Sequence, residues 1–382
     1  MVLMEKKRKM NRNFDNVHTV VVKVGTNLLT CRSGIDEKKI DEIVQQIAML
    51  KKRGLQVLLV TSGAIGMGRR ELGLKGKVVQ IAMRQACAAI GQPILMSSYR
   101  RSFSLHGIVC SQVLLTREEM NNRRTYVNLK NSIGTLLELG VVPVFNENDA
   151  VSTAEIGSSF GDNDRMAAMV ASKIDADLLV ILSDIPGLYT ADPRKDPEAR
   201  LIPEIAKVDD EIMAFAGDAG SSLGTGGMRS KLLAARIASI AGCVSIIASG
   251  YEENVLIRIM DGEQVGSCIA AEEKLKQRSR WILNNSHRGA IFVDDGAMKA
   301  LVSHKSLLPK GVTRVEGSFD KGDVVQIKDA SGTAFAKAVV YYSSTDIAVA
   351  AGHRSSELEQ ILGKNCKDVL FRPEDMVLLE DI

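Results

Sequence analysis

No apolar run in this 382-residue chain reaches the roughly 18 residues that a membrane-spanning helix needs. An excess of one charge is lacking too. Lys and Arg number 49 against 46 Asp and Glu, a formal net charge of +3, so no large field calls for nucleic acid or a membrane surface. Histidine is scarce and scattered, at His18, His106, His287, His304 and His353, which argues against a zinc site and against a Cys–His nucleophile. The six cysteines (Cys31, Cys87, Cys110, Cys243, Cys268, Cys366) include no Cys-x-x-Cys pair. Reduced, buried thiols of a cytoplasmic protein are the expectation. The common phosphate signatures are missing. There is no Gly-x-x-x-x-Gly-Lys-[Ser/Thr] and no protein-kinase catalytic loop, and Gly224-Thr225-Gly226-Gly227 lacks the last glycine of the dinucleotide fingerprint. Residues 1–10 are basic, but Asn11-Arg12-Asn13-Phe14-Asp15-Asn16 follows where a secretory signal would turn apolar. A flexible extension over residues 1–17 is expected instead.

What is present reads as two domains. Five apolar runs end in polar or glycine turns: Val20–Val24, Val57–Val60, Val141–Phe145, Leu178–Leu182 and Val244–Ala248. Runs this apolar suit strands covered on both faces, as in a parallel sheet. Helical spacing lies between them over Ile40–Lys52, Asp164–Lys173 and Met228–Ala241. The alternation predicts an α/β domain of three layers over residues 18–270, with ligands outside the carboxyl ends of its strands. A charged linker is expected over 271–280. Short runs with turns at Asp294-Asp295-Gly296, Pro309-Lys310-Gly311, Asp320-Lys321-Gly322-Asp323 and Ser331-Gly332 then predict a small, mostly β, barrel-like domain over 281–372 and a tail over 373–382.

The polar residues cluster at the predicted strand ends. Lys23 interrupts the first apolar run, and Gly25 lets backbone amides approach an anion. Such a lysine is also explained by snorkelling from a strand end. Gly226-Gly227 opens a helix whose free amides favour phosphate, and Lys231 lies one turn in. A plain loop before an ordinary helix is the alternative. Two lysines on separate glycine turns, with no histidine base, suit phosphoryl transfer, which needs charge neutralisation and alignment. Ser62-Gly63 could hold a carboxylate or the moving group, or simply make a tight turn. Asp149 could pair with a substrate ammonium, with Asn148 and Asn163 as hydrogen-bond partners. Asp162 or Asp164 could cap the next helix or assist Mg²⁺ indirectly. Asp184, after Ser183, could meet the nucleotide or its metal, or cap a turn.

In this order the residues resemble the amino acid kinase family. The matching segments are Val22-Lys23-Val24-Gly25-Thr26, Val60-Thr61-Ser62-Gly63-Ala64-Ile65, Asn146-Glu147-Asn148-Asp149-Ala150-Val151, Gly161-Asp162-Asn163-Asp164, Gly187-Leu188-Tyr189-Thr190-Ala191-Asp192-Pro193 and Gly224-Thr225-Gly226-Gly227-Met228. Arg280-Trp281-Ile282 and Leu307-Leu308-Pro309-Lys310-Gly311 resemble the entrance of a PUA domain. The similarity runs over nearly the whole chain from about residue 18. Within the family it points to members acting on L-glutamate at the first step of proline synthesis. The resemblance implies transfer of the ATP γ-phosphoryl group to the glutamate side-chain carboxylate. It implies catalytic roles for Lys23, Asp164 and Lys231. Ser62, Gly63, Asn148, Asp149 and Asn163 would hold substrate. Lys23, Gly25, Ser183, Asp184, Thr225, Gly226, Gly227, Met228, Arg229, Ser230 and Lys231 would meet ATP. No residue is expected to ligate metal directly, Mg²⁺ being carried mainly on the ATP phosphates. Also implied are inhibition by proline with 146–159 as sensor, a homodimer or homotetramer, and hand-over of the product to glutamyl phosphate reductase.

Two rivals remain. One is a kinase of the same fold acting on aspartate, acetylglutamate, carbamate or UMP. The other is an RNA-binding protein, since PUA domains often bind RNA. Residues 273–382 hold 16 Lys plus Arg and 15 Asp plus Glu. A nearly neutral domain without an aromatic cluster lacks the usual footprint of RNA binding.

Overall fold

The computed structural model describes residues 12–31, 34–76, 78–116, 119, 123–151, 163–216, 227–363 and 366–379. They divide into two compact units, Met1–Lys274 and Leu275–Ile382. The first unit contains strands β1 (Thr19–Val24), β2 (Thr30–Cys31), β3 (Gly34–Ile35), β4 (Gln56–Val60), β5 (Cys110–Leu115), β6 (Val142–Glu147), β7 (Leu178–Ser183), β8 (Glu204–Ile205), β9 (Val244–Ser249) and β10 (Ser267–Ile269). Eight of them form one sheet in the order β5-β6-β4-β1-β7-β9-β10-β8. From β5 to β9 every neighbouring pair is parallel, and β10 turns antiparallel to β9. β2 and β3 pair separately as a short ribbon. All five apolar runs are strands of the large sheet.

The sheet is buried on both faces because consecutive residues of a strand point to opposite sides. On β1, Val20, Val22 and Val24 enter one core cluster, while Val21 enters the other. On β4, Val57 and Leu59 join the first cluster, and Leu58 and Val60 the second. The first face is covered by the helix Glu37–Lys52 through Ile40, Ile43, Ile47 and Leu50, and by Leu95, Tyr99 and Phe103 of the helix Ile81–Ser104. The second is covered by the helices Asn163–Ile174 and Met228–Ser239 through Met166, Val170, Leu232 and Ala235. Three layers follow directly. Each fully buried aliphatic side chain contributes about 1.5–3 kcal/mol of hydrophobic stabilisation.

One crossing positions the site. The helix Ala64–Glu71 leaves the end of β4 and packs against Ile81–Ser104. A Cβ on Gly91 would lie 1.8 Å from the Ala64 carbonyl oxygen, and one on Gly68 would lie 1.8 Å from that of Cys87. The two backbones touch, so the turn that starts the first helix is held by main-chain contact.

The second unit is a five-stranded sheet with its own core. Its strands are β11 (Gly289–Val293), β12 (Val312–Gly317), β13 (Val324–Lys328), β14 (Ala334–Val339) and β15 (Met376–Leu378), ordered β12-β11-β13-β14-β15. Ile291, Val325, Ile327, Ala336, Leu370 and Phe371 pack inside.

Three boundaries differ from the sequence reading. Residues 12–17 are anchored. Phe14 belongs to the core, and the buried Arg12 guanidinium donates to the carbonyls of Val265 at 2.7 Å and Pro203 at 2.6 Å. Residues 1–11 lie outside the described residues. The stretch expected as linker runs into a helix, Gln277–Asn284, whose Ile282 packs with Val324, Val339 and Val377 of the second unit. The expected tail supplies β15, which pairs with β14. Short elements at an edge bury few side chains, so their sequence carries little apolar signal. No helix among the described residues is long and apolar enough to cross a membrane.

Gly91→Ala would force the two touching backbones apart at a cost of about 1–3 kcal/mol. Thermal unfolding of the variant is expected to show a clearly lowered melting temperature, and an unchanged one would mean that the helices are not in backbone contact.

Candidate active site

Parallel strands end on one side of their sheet, so the sequence-distant residues at those ends are neighbours. Lys23 is the penultimate residue of β1, Thr61-Ser62 follow β4, Asn146-Glu147 end β6, and Ser183 ends β7. The helix Asn163–Ile174 begins at the same side.

Asp164 lies at the centre. It is fully buried and ion-paired through one carboxylate oxygen to Lys23 and through the other to Lys231 at 3.0 Å. Ser230 donates to the second oxygen at 3.0 Å. Burial alone would raise the Asp164 carboxyl. The charges and hydrogen bonds of the two lysines overturn this and hold it well below the usual carboxylate range. Two ammonium groups are thereby gathered at one buried point, which favours an anion beside them. Asp164 therefore caps no helix; it sits in the helix's first turn and faces inward. Lys23 is a buried, paired cation and does not snorkel. The helix Met228–Ser239 contributes Lys231 and Ser230, and no side chain caps its amino end at Gly227. Amides in the first turn of a helix favour an anion.

Beside this trio Asn163 donates through Nδ2 to the Thr61 carbonyl at 2.7 Å, to Ser62 Oγ at 2.7 Å and to Asn146 Oδ1 at 3.1 Å. Gly63 starts the helix Ala64–Glu71 with φ of +107°, a backbone conformation that favours glycine. Asp149 follows β6 by two residues. Burial pushes its carboxyl up to about 6, with the charge of Arg84 opposing. Asn148 closes the turn through its backbone, donating to Leu115 O at 2.9 Å and accepting from Val151 N–H at 3.1 Å. This group of amides, a hydroxyl and a carboxylate fits a small polar ligand bearing an amine.

On the opposite side, Gly25 N–H donates to Leu182 O at 3.1 Å, which ties the turn after β1 to β7. Asp184 is exposed. It accepts from Asn27 Nδ2 at 2.9 Å and from Ser183 Oγ at 3.0 Å. Burial would raise its carboxyl, but those hydrogen bonds and the nearby Lys231 charge leave it below its ordinary value. Met228 packs partly on the second core cluster, and Arg229 is exposed in the same first turn. Thr225 and Gly226 lie outside the described residues, as do Gly161, Asp162 and most of 146–159.

Among the described residues no group of three His, Cys, Asp or Glu could hold a metal ion. Several neighbours were not picked out from sequence. Gln92 accepts from Asn146 at 2.7 Å, Asn27 holds Asp184, and Tyr99 shares a 2.9 Å hydrogen bond with Thr61 Oγ1. A glutamine inside a largely apolar helix was the one available sign of the first.

The amino acid kinase family profile matches residues 18–249, and the PUA domain profile matches residues 289–362. The chain is 44% identical to a glutamate 5-kinase of Methanosarcina acetivorans, covering 97% of this chain and 98% of that protein. It is 45% identical to a glutamate 5-kinase of Methanosarcina barkeri, covering 97% and 99%. Among solved structures, a carbamate kinase from Giardia lamblia bound to AMP-PNP superposes with a TM-score of 0.49 at 19% identity, over 67% of this chain and 99% of that one. Profile, relatives and the two-unit fold converge on one conclusion: this chain belongs to the amino acid kinase family and carries a PUA domain after its kinase domain.

Proposed function

We propose that this protein transfers the γ-phosphoryl group of ATP to the side-chain carboxylate of L-glutamate, giving L-glutamyl 5-phosphate and ADP. The observation that carries the reading is the buried Lys23–Asp164–Lys231 trio, with Asn163, the neighbour of Asp164 in sequence, donating to Ser62 Oγ at the same strand ends. It is supported by relatives of similar length, 43–45% identical, that are named glutamate 5-kinases.

The chemistry needs no general base, because a carboxylate is already a nucleophile. One of its oxygens bonds to the γ-phosphorus while the bond from that phosphorus to the β-bridging oxygen breaks. ADP leaves with that electron pair, and no proton moves. Lys23 and Lys231 offset the negative charge gathered between nucleophile and leaving group, and Asp164 fixes both ammonium groups in place. Mg²⁺ bound to the ATP phosphates would add charge neutralisation. Gly25, Ser183, Asp184, Thr225, Gly226, Gly227, Met228, Arg229 and Ser230 would border the nucleotide. Asp149 would take the glutamate ammonium, with Ser62, Gly63, Asn148 and Asn163 around it. The acyl phosphate is labile, which favours hand-over to glutamyl phosphate reductase in the cytoplasm. Proline feedback and a homodimer or homotetramer belong to the same reading. RNA is not among the proposed partners of the near-neutral second unit.

The direct test offers L-glutamate, L-aspartate, N-acetylglutamate and UMP separately with Mg-ATP, measuring ADP release with hydroxylamine to trap acyl phosphate. Hydroxamate from glutamate alone is expected, and turnover of another acceptor would reassign the substrate. Lys231→Ala should lower that turnover by at least about a hundredfold.

The raised Asp149 carboxyl gives a pH dependence with a definite sign. Below about 6 it takes a proton and loses the substrate's ammonium as an ionic partner, so KM for glutamate should climb as pH falls through that value. KM should be flat above it until the substrate amine titrates. Asp149→Asn should have a high KM without this inflection; an inflection that persists in the variant would assign it elsewhere.

A further inference from the structure

The helix Ile81–Ser104 carries a cation over the substrate side of the site, and its placement follows from three points along that helix. Gln92 accepts from Asn146 Nδ2 at 2.7 Å, next to the end of β6. Gly91 meets the backbone of Ala64, just past the end of β4, and Cys87 meets that of Gly68 one turn farther along the neighbouring helix. The amino-terminal turns of Ile81–Ser104 therefore continue beyond the strand ends. Arg84, Ala88 and Gln92, spaced at i, i+4 and i+8, share one stripe of the helix. Ala88 and Gln92 are buried. Arg84 lies about 12 Å along the axis from Gln92. It is only half-buried, because the sheet has ended beneath it.

The chain leaving β6 runs the same way. Asp149 comes three residues after Asn146, and the field of the Arg84 guanidinium reaches its carboxylate. Among the described residues, Arg84 forms no ion pair and its side chain makes no hydrogen bond. The two opposite charges feel each other without closing on one another. An arginine in the first turn also opposes the helix dipole, so helix stability does not account for it. A cation and a carboxylate held apart above the strand ends match a zwitterion, since an α-amino acid bears its ammonium and its α-carboxylate on one carbon. With the ammonium at Asp149, the α-carboxylate comes to the Arg84 side. A guanidinium suits a carboxylate through its paired N–H donors.

We infer that Arg84 is a specificity-determining residue that receives the α-carboxylate of the phosphoryl acceptor. This rests on the reading that the acceptor is an amino acid whose ammonium goes to Asp149. The head group is then gripped at both of its charges, between the helix Ile81–Ser104 and the turn after β6. Its side-chain carboxylate is left to reach Lys23 and Lys231. An acceptor with a neutral group in place of the α-carboxylate loses its charged partner and leaves the guanidinium without one. An arginine that only tuned Asp149 from a distance would give no such discrimination.

The test uses acceptor pairs that differ only at the α-carboxylate: L-glutamate with its α-amide L-isoglutamine, and L-aspartate with L-isoasparagine. Wild type, Arg84→Met and Arg84→Lys are compared by ADP release at saturating Mg-ATP, at a pH well above the Asp149 inflection. Arg84→Gln replaces Arg84→Met if that variant does not fold. Wild type should prefer glutamate over isoglutamine. In Arg84→Met the KM for glutamate should rise by about tenfold or more, the scale of one hydrogen bond to a charged group. KM for isoglutamine and for ATP should stay within a few-fold, and Arg84→Lys should keep part of the preference. The pH profile of Arg84→Met is a separate readout. Without the guanidinium the Asp149 carboxyl rises, so the climb in glutamate KM should begin at a higher pH than in wild type. A shifted profile with an unchanged preference would mean that Arg84 acts on Asp149 alone and would overturn the inference, as would equal losses on both members of a pair. If wild type uses the aspartate pair alone, the glutamate assignment fails while the role of Arg84 is still read on that pair. Wild type inert on both pairs would overturn both.

Discussion

Asp164 is held without solvent between two lysine ammonium groups, and an ion so placed must keep its partners or leave an uncompensated charge in the interior. The constraint reaches through the kinase domain. Lys23 can meet Asp164 only if β1 lies in the middle of the sheet, and Lys231 only if the helix Met228–Ser239 packs beside Asn163–Ile174 on one face. The two helices share small and medium side chains, Ala167, Ala171, Ala235 and Ala238, which permit close packing. A packed α/β core thus sets the separation of two cations that would otherwise repel each other.

Two ammonium groups gathered in a buried place are poor for stability and good for binding anions. A similar tension marks the substrate side. Asp149 is pushed up to about 6 by burial, and Asn163 and Gln92 each keep a buried polar atom without a partner. Strain of this sort gathers where a ligand can relieve it. The rigid parts around it are main-chain contacts, namely the touching helices at Gly68 and Gly91 and the tie from Gly25 to β7.

Much of this was legible in the residues. The central strands read clearly because both faces are buried, which makes runs such as Val20-Val21-Val22 nearly continuous. The edge strand β5, Cys110-Ser111-Gln112-Val113-Leu114-Leu115, is only half covered and carries no such signal. The long helix Ile81–Ser104 includes Pro93 and spreads its apolar residues around the axis, so no single stripe announces it. Lys23, Asp164 and Lys231 could be singled out by type and place, but their joint ion pair could not, since it is made by topology. Gln92 and Asn27 meet neighbours distant in sequence; the apolar helix around Gln92 is a faint sign of it, and nothing local distinguishes Asn27 from an ordinary polar residue.

The central claim is that one carboxylate holds both lysines in working position. It is tested by the kcat of Asp164→Asn with Mg-ATP and L-glutamate, measured on protein shown by circular dichroism to be folded. The account predicts a fall of at least about a hundredfold, because the amide keeps the shape and removes the charge that gathers the two ammonium groups. A kcat within a few-fold of wild type would contradict it.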